Sequence, residues 1–532
     1  MLISLIVWTY LSALCLVWGL MLQSMTGISA GDRSDIHPSL ICLTGLIAVS
    51  SIALGLSLFM PLDWKTHFLL VIGALLYLLR KTARIELHTL LTRLFKNFTI
   101  LQYGLLAACI GIVLLISVHD IIHPDTLHYH AKSIFLFQQY GPIPGIANIR
   151  QELGLQCGWF AALAICNPTP WYTLIFLNGA VLCWFFIFIV STWNKTWPGW
   201  LLLAYTLCSW TQVRLTAASA SPDFIVSLYS WTAVYAFLRK EYRLSVLCCL
   251  AAVLTKPSAL VLLLLAAVAI LYGKKPWRVL VYFCIMLLVL FIKNAIASGY
   301  ILYPASWPDF LDVDWKMPLA SLQNFQLYIS RYATIPFSGP IEPLNIPWMQ
   351  RVSGWWSSNT TLPDRLLLLA IAAGLLIHLV MLIVKGKRST LLTWNKFTLP
   401  PLAVAFIGSV IWLYNAPSPR FGTGFLVPLL YLLFYHLPQP APKPTRLLSL
   451  VAGCCLFTAV SAYAIYRCIH FLTPSELLTP SGIAASAYEP IDCGRARVDL
   501  LHGTIDTGQP AGSGCEFWSP RGRTVKEGFR PR

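Results

Sequence analysis

Ile110-Gly111-Ile112-Val113-Leu114-Leu115-Ile116-Ser117-Val118-His119-Asp120-Ile121-Ile122-His123-Pro124-Asp125-Thr126-Leu127-His128-Tyr129-His130 joins two environments that do not mix. The first part is almost wholly apolar. The part from His119 onward holds two carboxylates and four of the chain's 11 histidines. Ionisable groups are costly to desolvate, so they seldom gather at the end of an apolar run without a task. The stretch therefore reads as a membrane-spanning helix that ends at a water boundary, with a chemical centre just beyond it.

The same pattern recurs in both directions. Of the 532 residues, 57% are hydrophobic and 11% charged, and the mean hydropathy is +0.69. A water-soluble chain of this length needs far more polar surface. Runs such as Leu260–Leu271 and Leu366–Val384 are too frequent to be soluble cores. About 20 apolar residues match the hydrocarbon thickness of a bilayer. The expected fold class is all-α, a polytopic transmembrane helix bundle of about 12–14 spans.

The net charge of +17 is not a nucleic-acid footprint, because no soluble module carries a contiguous basic stripe. The cations sit in short loops, at Arg80-Lys81 to Lys96, Arg239-Lys240 to Arg243, Lys274-Lys275 to Arg278 and Lys385 to Arg388. The positive-inside rule makes these loops cytoplasmic. Residues 1–98 then form N-terminal transmembrane helices and a basic cytoplasmic loop. Residues 99–467 form the core, with outer loops 118–157 and 298–360, and 468–532 an extracytoplasmic tail. Met1–Leu22 lacks a basic start and is followed by further spans, so it reads as a retained first helix rather than a signal peptide. On this parity nearly all mid-chain acids, including Asp120, Asp125, Glu152 and Asp223, face outward. Most of the 15 cysteines lie in apolar spans as small buried hydrophobes. Cys493 and Cys515 lie in the polar tail and are a disulfide candidate if it is outside the cytoplasm.

Asp120 and Asp125 are the leading acid/base candidates. A carboxylate at a membrane interface can be tuned to accept a proton from an attacking hydroxyl. The rival reading of Asp125, which follows Pro124, is a helix cap. From Asp125 to Tyr140, apolar and polar residues alternate at helical spacing, as in an amphipathic helix lying in the interface. It stops at Gly141-Pro142-Ile143-Pro144-Gly145. His128 and Tyr129 follow Asp125 at i+3 and i+4, on one face. The His119/His123 spacing suits a divalent cation. On a regular helix, however, His128 and His130 point to opposite sides, so four histidines cannot converge without a break. Lys256, Lys293, Arg331 and Arg420 are cations at the outer boundary. Lys256 and Arg420 suit a phosphate there, with snorkelling to lipid phosphates as the plainer alternative. The plainer one suits Arg331.

This layout resembles the GT-C class of polyprenyl-phosphate-sugar-dependent glycosyltransferases, in which an acidic residue occupies the first outer loop after a transmembrane helix. Asp120 and Asp125 match that position. More closely, the chain looks like a group of bacterial polytopic membrane proteins. The pieces that carry this likeness are Asp125-Thr126-Leu127-His128-Tyr129-His130, Gly141 to Asn148, Lys293-Asn294, Gly299-Tyr300, Tyr303-Pro304, Asp314-Trp315-Lys316, Pro419-Arg420-Phe421-Gly422, and the terminal Arg521-Gly522-Arg523 with Gly528-Phe529-Arg530. The resemblance implies transfer of a sugar from a polyprenyl-phosphate donor to an envelope glycan, lipid or protein, at the outer face of a bacterial inner membrane. Asp125 or Asp120 would be the base or orient the acceptor, with His128 or His130 assisting. Tyr129, Lys256, Lys293 and Arg420 would bind substrate, the cations holding the leaving phosphate. Two other readings stay open. One is a polysaccharide polymerase or ligase, and the other a lipid-linked-saccharide transporter or a non-enzymatic envelope assembly factor.

Overall fold

In the computed structural model, the residues described are 1–28, 36–94, 98–118, 121, 123, 125–167, 172–174, 177–192, 197–273, 277–332, 348–385 and 397–435, with short strand segments between 482 and 506. The apolar runs of the sequence become helices. The first three are α1 (Leu2–Met25), α2 (Pro38–Leu56) and α3 (Trp64–Leu78), of which α2 starts at a proline after a His37 cap and α3 after an Asp63 cap. At α3 the Asp63 carboxylate accepts from the backbone N–H of Lys65 and Thr66. The basic stretch expected as a loop is itself a helix, α4 (Lys81–Leu94). The next, α5 (Ile100–Ser117), opens on a capping box between Thr99 and Gln102. The Gln102 amide also donates to Val190 O at 2.7 Å, tying α5 to α8 (Leu177–Thr192). Between these lie α6 (Ala131–Gln139) and α7 (Gly158–Ile165).

The second half runs through α9 (Trp197–Cys208), α10 (Asp223–Leu238), α11 (Tyr242–Thr255), α12 (Leu262–Tyr272) and α13 (Trp277–Ser298). The stretch 298–360, expected as a loop, contains α14 (Leu319–Tyr332) and α15 (Trp348–Ser358), followed by α16 (Leu362–Lys385), α17 (Leu399–Asn415) and α18 (Pro419–Phe434). Short antiparallel strands pair Tyr172–Leu174 with Gly482–Ala484 and link Ile491–Cys493, Ala496–Asp499 and Thr504–Asp506. The expected span 447–467 and the partner Cys515 of the proposed disulfide lie outside the described residues.

Among the described residues, five helices are long and apolar enough to cross a membrane: Leu2–Met25, Pro38–Leu56, Ile100–Ser117, Trp277–Ser298 and the Leu362–Met381 part of α16. Shorter apolar helices, α10 and α11 among them, fill the space between. The chain is a helical membrane protein. Its centre is α2, whose apolar window is 83% buried, whereas that of α13 is 22% buried. The exposed face of α13 carries Val281, Ile285, Leu288 and Ile292, a surface suited to lipid and not to water.

Close packing of α1 on α2 depends on two glycines. A methyl group on Gly45 would overlap the Cys15 carbonyl, and one on Gly19 the Ile41 carbonyl, so the two backbones touch only where a side chain is missing. Gly45→Leu should therefore destabilise the fold by about 3 kcal/mol or more, read as a lower melting point in detergent or loss of the protein from membranes. Gly111→Leu, where nothing lies within 4 Å of the added carbon, should behave as wild type.

Candidate functional site

The polar stretch after α5 does not form a regular helix at first. Thr126–His130 is a π-helical turn, which then continues into α6. The wider turn changes which side chains share a face. His123 and His130 come together, with ring centroids 5.5 Å apart, and His128 points to the exposed side. The helix expected to lie in the interface is instead an interior one. Ser133, Ile134, Phe135, Leu136, Phe137 and Gln138 of α6 are all buried, because the helix packs on α7 and leaves no wet face.

The loop before α10 is fixed just as closely. The Asn178 amide donates to Ser219 O and Ser221 O, at 2.7 and 3.0 Å. Trp159 Nε1 donates to Ala220 O at 3.0 Å, and Ala220 N donates to Thr126 Oγ1 at 3.3 Å. On the far side Trp231 Nε1 donates to Thr423 O at 2.9 Å, and the Ser227 and Thr423 hydroxyls lie 2.8 Å apart. A methyl group on Gly424 would sit 3.1 Å from Ser230 Oγ, so α18 approaches α10 through its glycine.

These contacts bring four charged side chains from four helix ends into one cluster. Asp125 precedes the π turn, Asp223 opens α10, Lys256 ends α11 and Arg420 lies in the first turn of α18. Arg420 donates from Nη2 to Asp125 Oδ2 at 2.8 Å, and its Nη1 lies 3.0 Å from His123 Nε2. Its Nε is 3.6 Å from Asp223 Oδ2. Lys256 Nζ donates to Asp223 Oδ1 at 2.6 Å. Both cations also lie over the Phe421 ring, at 3.7 Å for Lys256 and 4.7 Å for Arg420. The side chains of Arg420 and Asp223 are only 10% and 11% exposed. Two positive and two negative charges thus neutralise one another in a poorly solvated pocket, the arrangement that makes such burial tolerable.

Protonation follows from this geometry. Burial alone would raise the Asp125 pKa, but the charge of Arg420 outweighs it and holds the carboxyl below its ordinary value. Burial lowers His123 to about 4, reinforced by Arg420. His130 is pushed well down, by burial first and then by His123. Burial also raises the Tyr129 phenol well above its usual value.

The sign of the resulting pH dependence is fixed. His123 has an ordinary pKa of 6.5, so between pH 6.5 and about 4 the unfolded ring takes up a proton that the folded ring refuses. Its contribution is full above about pH 6.5 and is lost as pH falls through 4, on the order of 3 kcal/mol. His130 acts in the same direction. The melting temperature of the solubilised protein should fall between pH 7 and 4.5, and His123→Gln should make that decline shallower. An equal decline in both proteins would contradict the assignment.

Beside the charge cluster is a cavity of about 160 Å³. Its walls are mainly apolar, including Phe160, Leu254, Leu290 and Ile329, with Lys256 and Tyr129 as polar contributors. A second polar group lies close by. Glu152 Oε1 is 3.5 Å from His128 Nε2, and Glu152 Oε2 is 3.4 Å from Arg150 Nε. Arg150 Nη2 lies 2.6 Å from His128 Nδ1 and also touches Nε2. Tyr129 feels the charges of both groups, of Asp125 and Asp223 on one side and of Glu152 on the other.

Of the residues singled out from sequence, Asp125, His130, Lys256 and Arg420 meet in the cluster, and Tyr129 lines the cavity beside it. His128 belongs to the neighbouring group. Asp120 lies outside the described residues, as do His119 and the side chain of Arg331. Lys293 does not join. It is buried elsewhere on α13, donating to Ser57 O at 3.1 Å and lying over Phe137 at 4.7 Å. Among the described residues no group of three or more His, Cys, Asp or Glu is placed to hold a metal ion. Asp125 and Asp223 already accept from Arg420 and Lys256, so they do not fit a divalent-cation cradle in this arrangement.

Asp223 and Glu152 are the residues that sequence reasoning passed over as chemistry. The available signal was weak: an acid on the same face as Asp125, opening a span after Ser219-Ala220-Ser221-Pro222. A family profile described as a domain of unknown function (DUF8201) matches residues 1–427. No curated protein and no solved structure matches the chain.

Proposed function

The chain belongs to the DUF8201 family, and we propose that it is a glycosyltransferase of the bacterial inner membrane that works at the outer face. It moves a sugar from a polyprenyl-phosphate donor to an envelope glycan, lipid or protein. The observation that carries this reading is a pair of poorly solvated cations, Lys256 and Arg420, next to an apolar cavity that Lys256 helps to line. A lipid phosphate needs those two environments side by side. The cavity also meets α13 at Leu290 and Asn294, and α13 exposes Leu288 and Ile292.

In this reading the acceptor oxygen attacks the anomeric carbon, and the bond from that carbon to the phosphate oxygen breaks. The electron pair leaves on the phosphate, where Arg420 and Lys256 stabilise the growing charge. Asp125 and Asp223 hold the two cations in position while the site is empty. Asp125 suits that role better than the role of base, because its lowered pKa and its contact with Arg420 reduce its capacity to take a proton. Gathering of the four charges at helix ends, and not along the middle of helices, favours chemistry at one boundary over passage through the bilayer.

Native mass spectrometry of the purified full chain tests the phosphate site. A polyprenyl phosphate should bind as a single copy, and the corresponding polyprenol at least about tenfold more weakly. Equal binding of the two lipids would remove the role given to Lys256 and Arg420.

A further inference from the structure

We propose that His128, held by Glu152, is the base that removes the acceptor's proton. The inference rests on the transferase reading above and adds to it the group that activates the acceptor. Asp125 is engaged by Arg420. His123 and His130 are buried at 1% exposure each and kept neutral by their surroundings. His128 differs from these, with a side chain 47% exposed beside a carboxylate that is 6% exposed. A buried acid behind an accessible imidazole is the arrangement by which proteins fix a histidine's orientation and stabilise it once it carries a proton.

The group's own geometry supports the assignment. Nε2 lies 3.5 Å from Glu152 Oε1, and Arg150 Nη2 lies against both ring nitrogens. Glu152 Oε2 is buried and makes no hydrogen bond, a condition that costs free energy unless a donor arrives. Arg150, with Nη2 against the ring and Nε 3.4 Å from Oε2, would meet that need on moving from the ring to the carboxylate. The acceptor hydroxyl takes its place. The acceptor O–H bond then breaks with its proton going to the imidazole ring, and the new oxygen–carbon bond forms. The sugar–phosphate bond breaks with its electron pair on the phosphate, and the imidazolium later releases its proton to water. His128 is the catalytic residue and Glu152 a positioning residue.

The test uses membrane vesicles containing the full chain, with transfer from the lipid-linked sugar pool followed by mass spectrometry and protein abundance measured in each preparation. His128→Gln should lower the rate about 100-fold or more, and Glu152→Gln about tenfold. Glu152→Asp should recover part of the loss. Glu152→Gln should cost nothing further when added to His128→Gln, since it acts through that ring. A merely structural Glu152 would give independent, multiplying losses instead, and that result overturns the dyad. So does wild-type transfer by His128→Gln. If vesicles lacking the chain transfer as fast as wild type, the transferase reading itself fails and the dyad with it. The deletion arm separates the two failures.

Discussion

Arg420→Met should abolish transfer and lower the stability of the protein at the same time. Arg420 binds Asp125 and faces Asp223 and His123. Its removal leaves Asp125 without its cation in a pocket where its own side chain is 21% exposed. Breaking one partner out of a buried ion pair costs about 3–5 kcal/mol, because the remaining charge stays desolvated. Methionine preserves most of the volume, so the loss measures charge rather than packing. The melting temperature in detergent should fall clearly, and lipid-linked sugar should accumulate as in a deletion strain. A stable, active Arg420→Met protein would show that the cluster is neither structural nor functional.

The second large effect separates those two roles. Lys256→Met alone leaves Asp223 only its longer, 3.6 Å contact with Arg420, and Asp223→Asn alone strands Lys256, so each single change should destabilise, by up to about 3 kcal/mol. Made together, they remove both members of the 2.6 Å pair. Neutralising a buried pair is often close to neutral for stability, so the double variant should melt near wild type. Its transfer activity should nevertheless be lost, because one of the two cations proposed to hold the phosphate is gone. Recovery of both stability and activity in the double variant would assign Lys256 to the fold alone.

The membrane class was legible in the sequence because hydrophobic runs of helical length have few other uses. The hairpin turning at Lys256-Pro257-Ser258 and the break after Gln139 followed from proline and glycine chemistry, and both stand in the structure. The condition of α6 was not legible. Its polar Ser133 and Gln138 look like a wet face, yet Gln138 is buried and donates to backbone carbonyls of Ala164 and Asn167. Amphipathic spacing cannot tell water from a polar partner inside a bundle. The site was half legible. Asp125, Lys256 and Arg420 stood out as charges where charge is costly, but their convergence depends on contacts spanning 295 residues between Asp125 and Arg420. No local pattern encodes that distance. The π turn at Thr126–His130 was equally hidden, since it sets His123 and His130 together and turns His128 away without a distinctive residue to mark it.

The most direct test of the account compares lipid-linked sugars and envelope glycans between the wild-type strain, a deletion strain and the deletion strain carrying Arg420→Met. One polyprenyl-linked sugar should accumulate, and the matching sugar should disappear from an envelope glycan, lipid or protein, in the deletion and in Arg420→Met alike. An unchanged lipid-linked pool together with unchanged envelope glycans in the deletion strain would contradict the transferase reading.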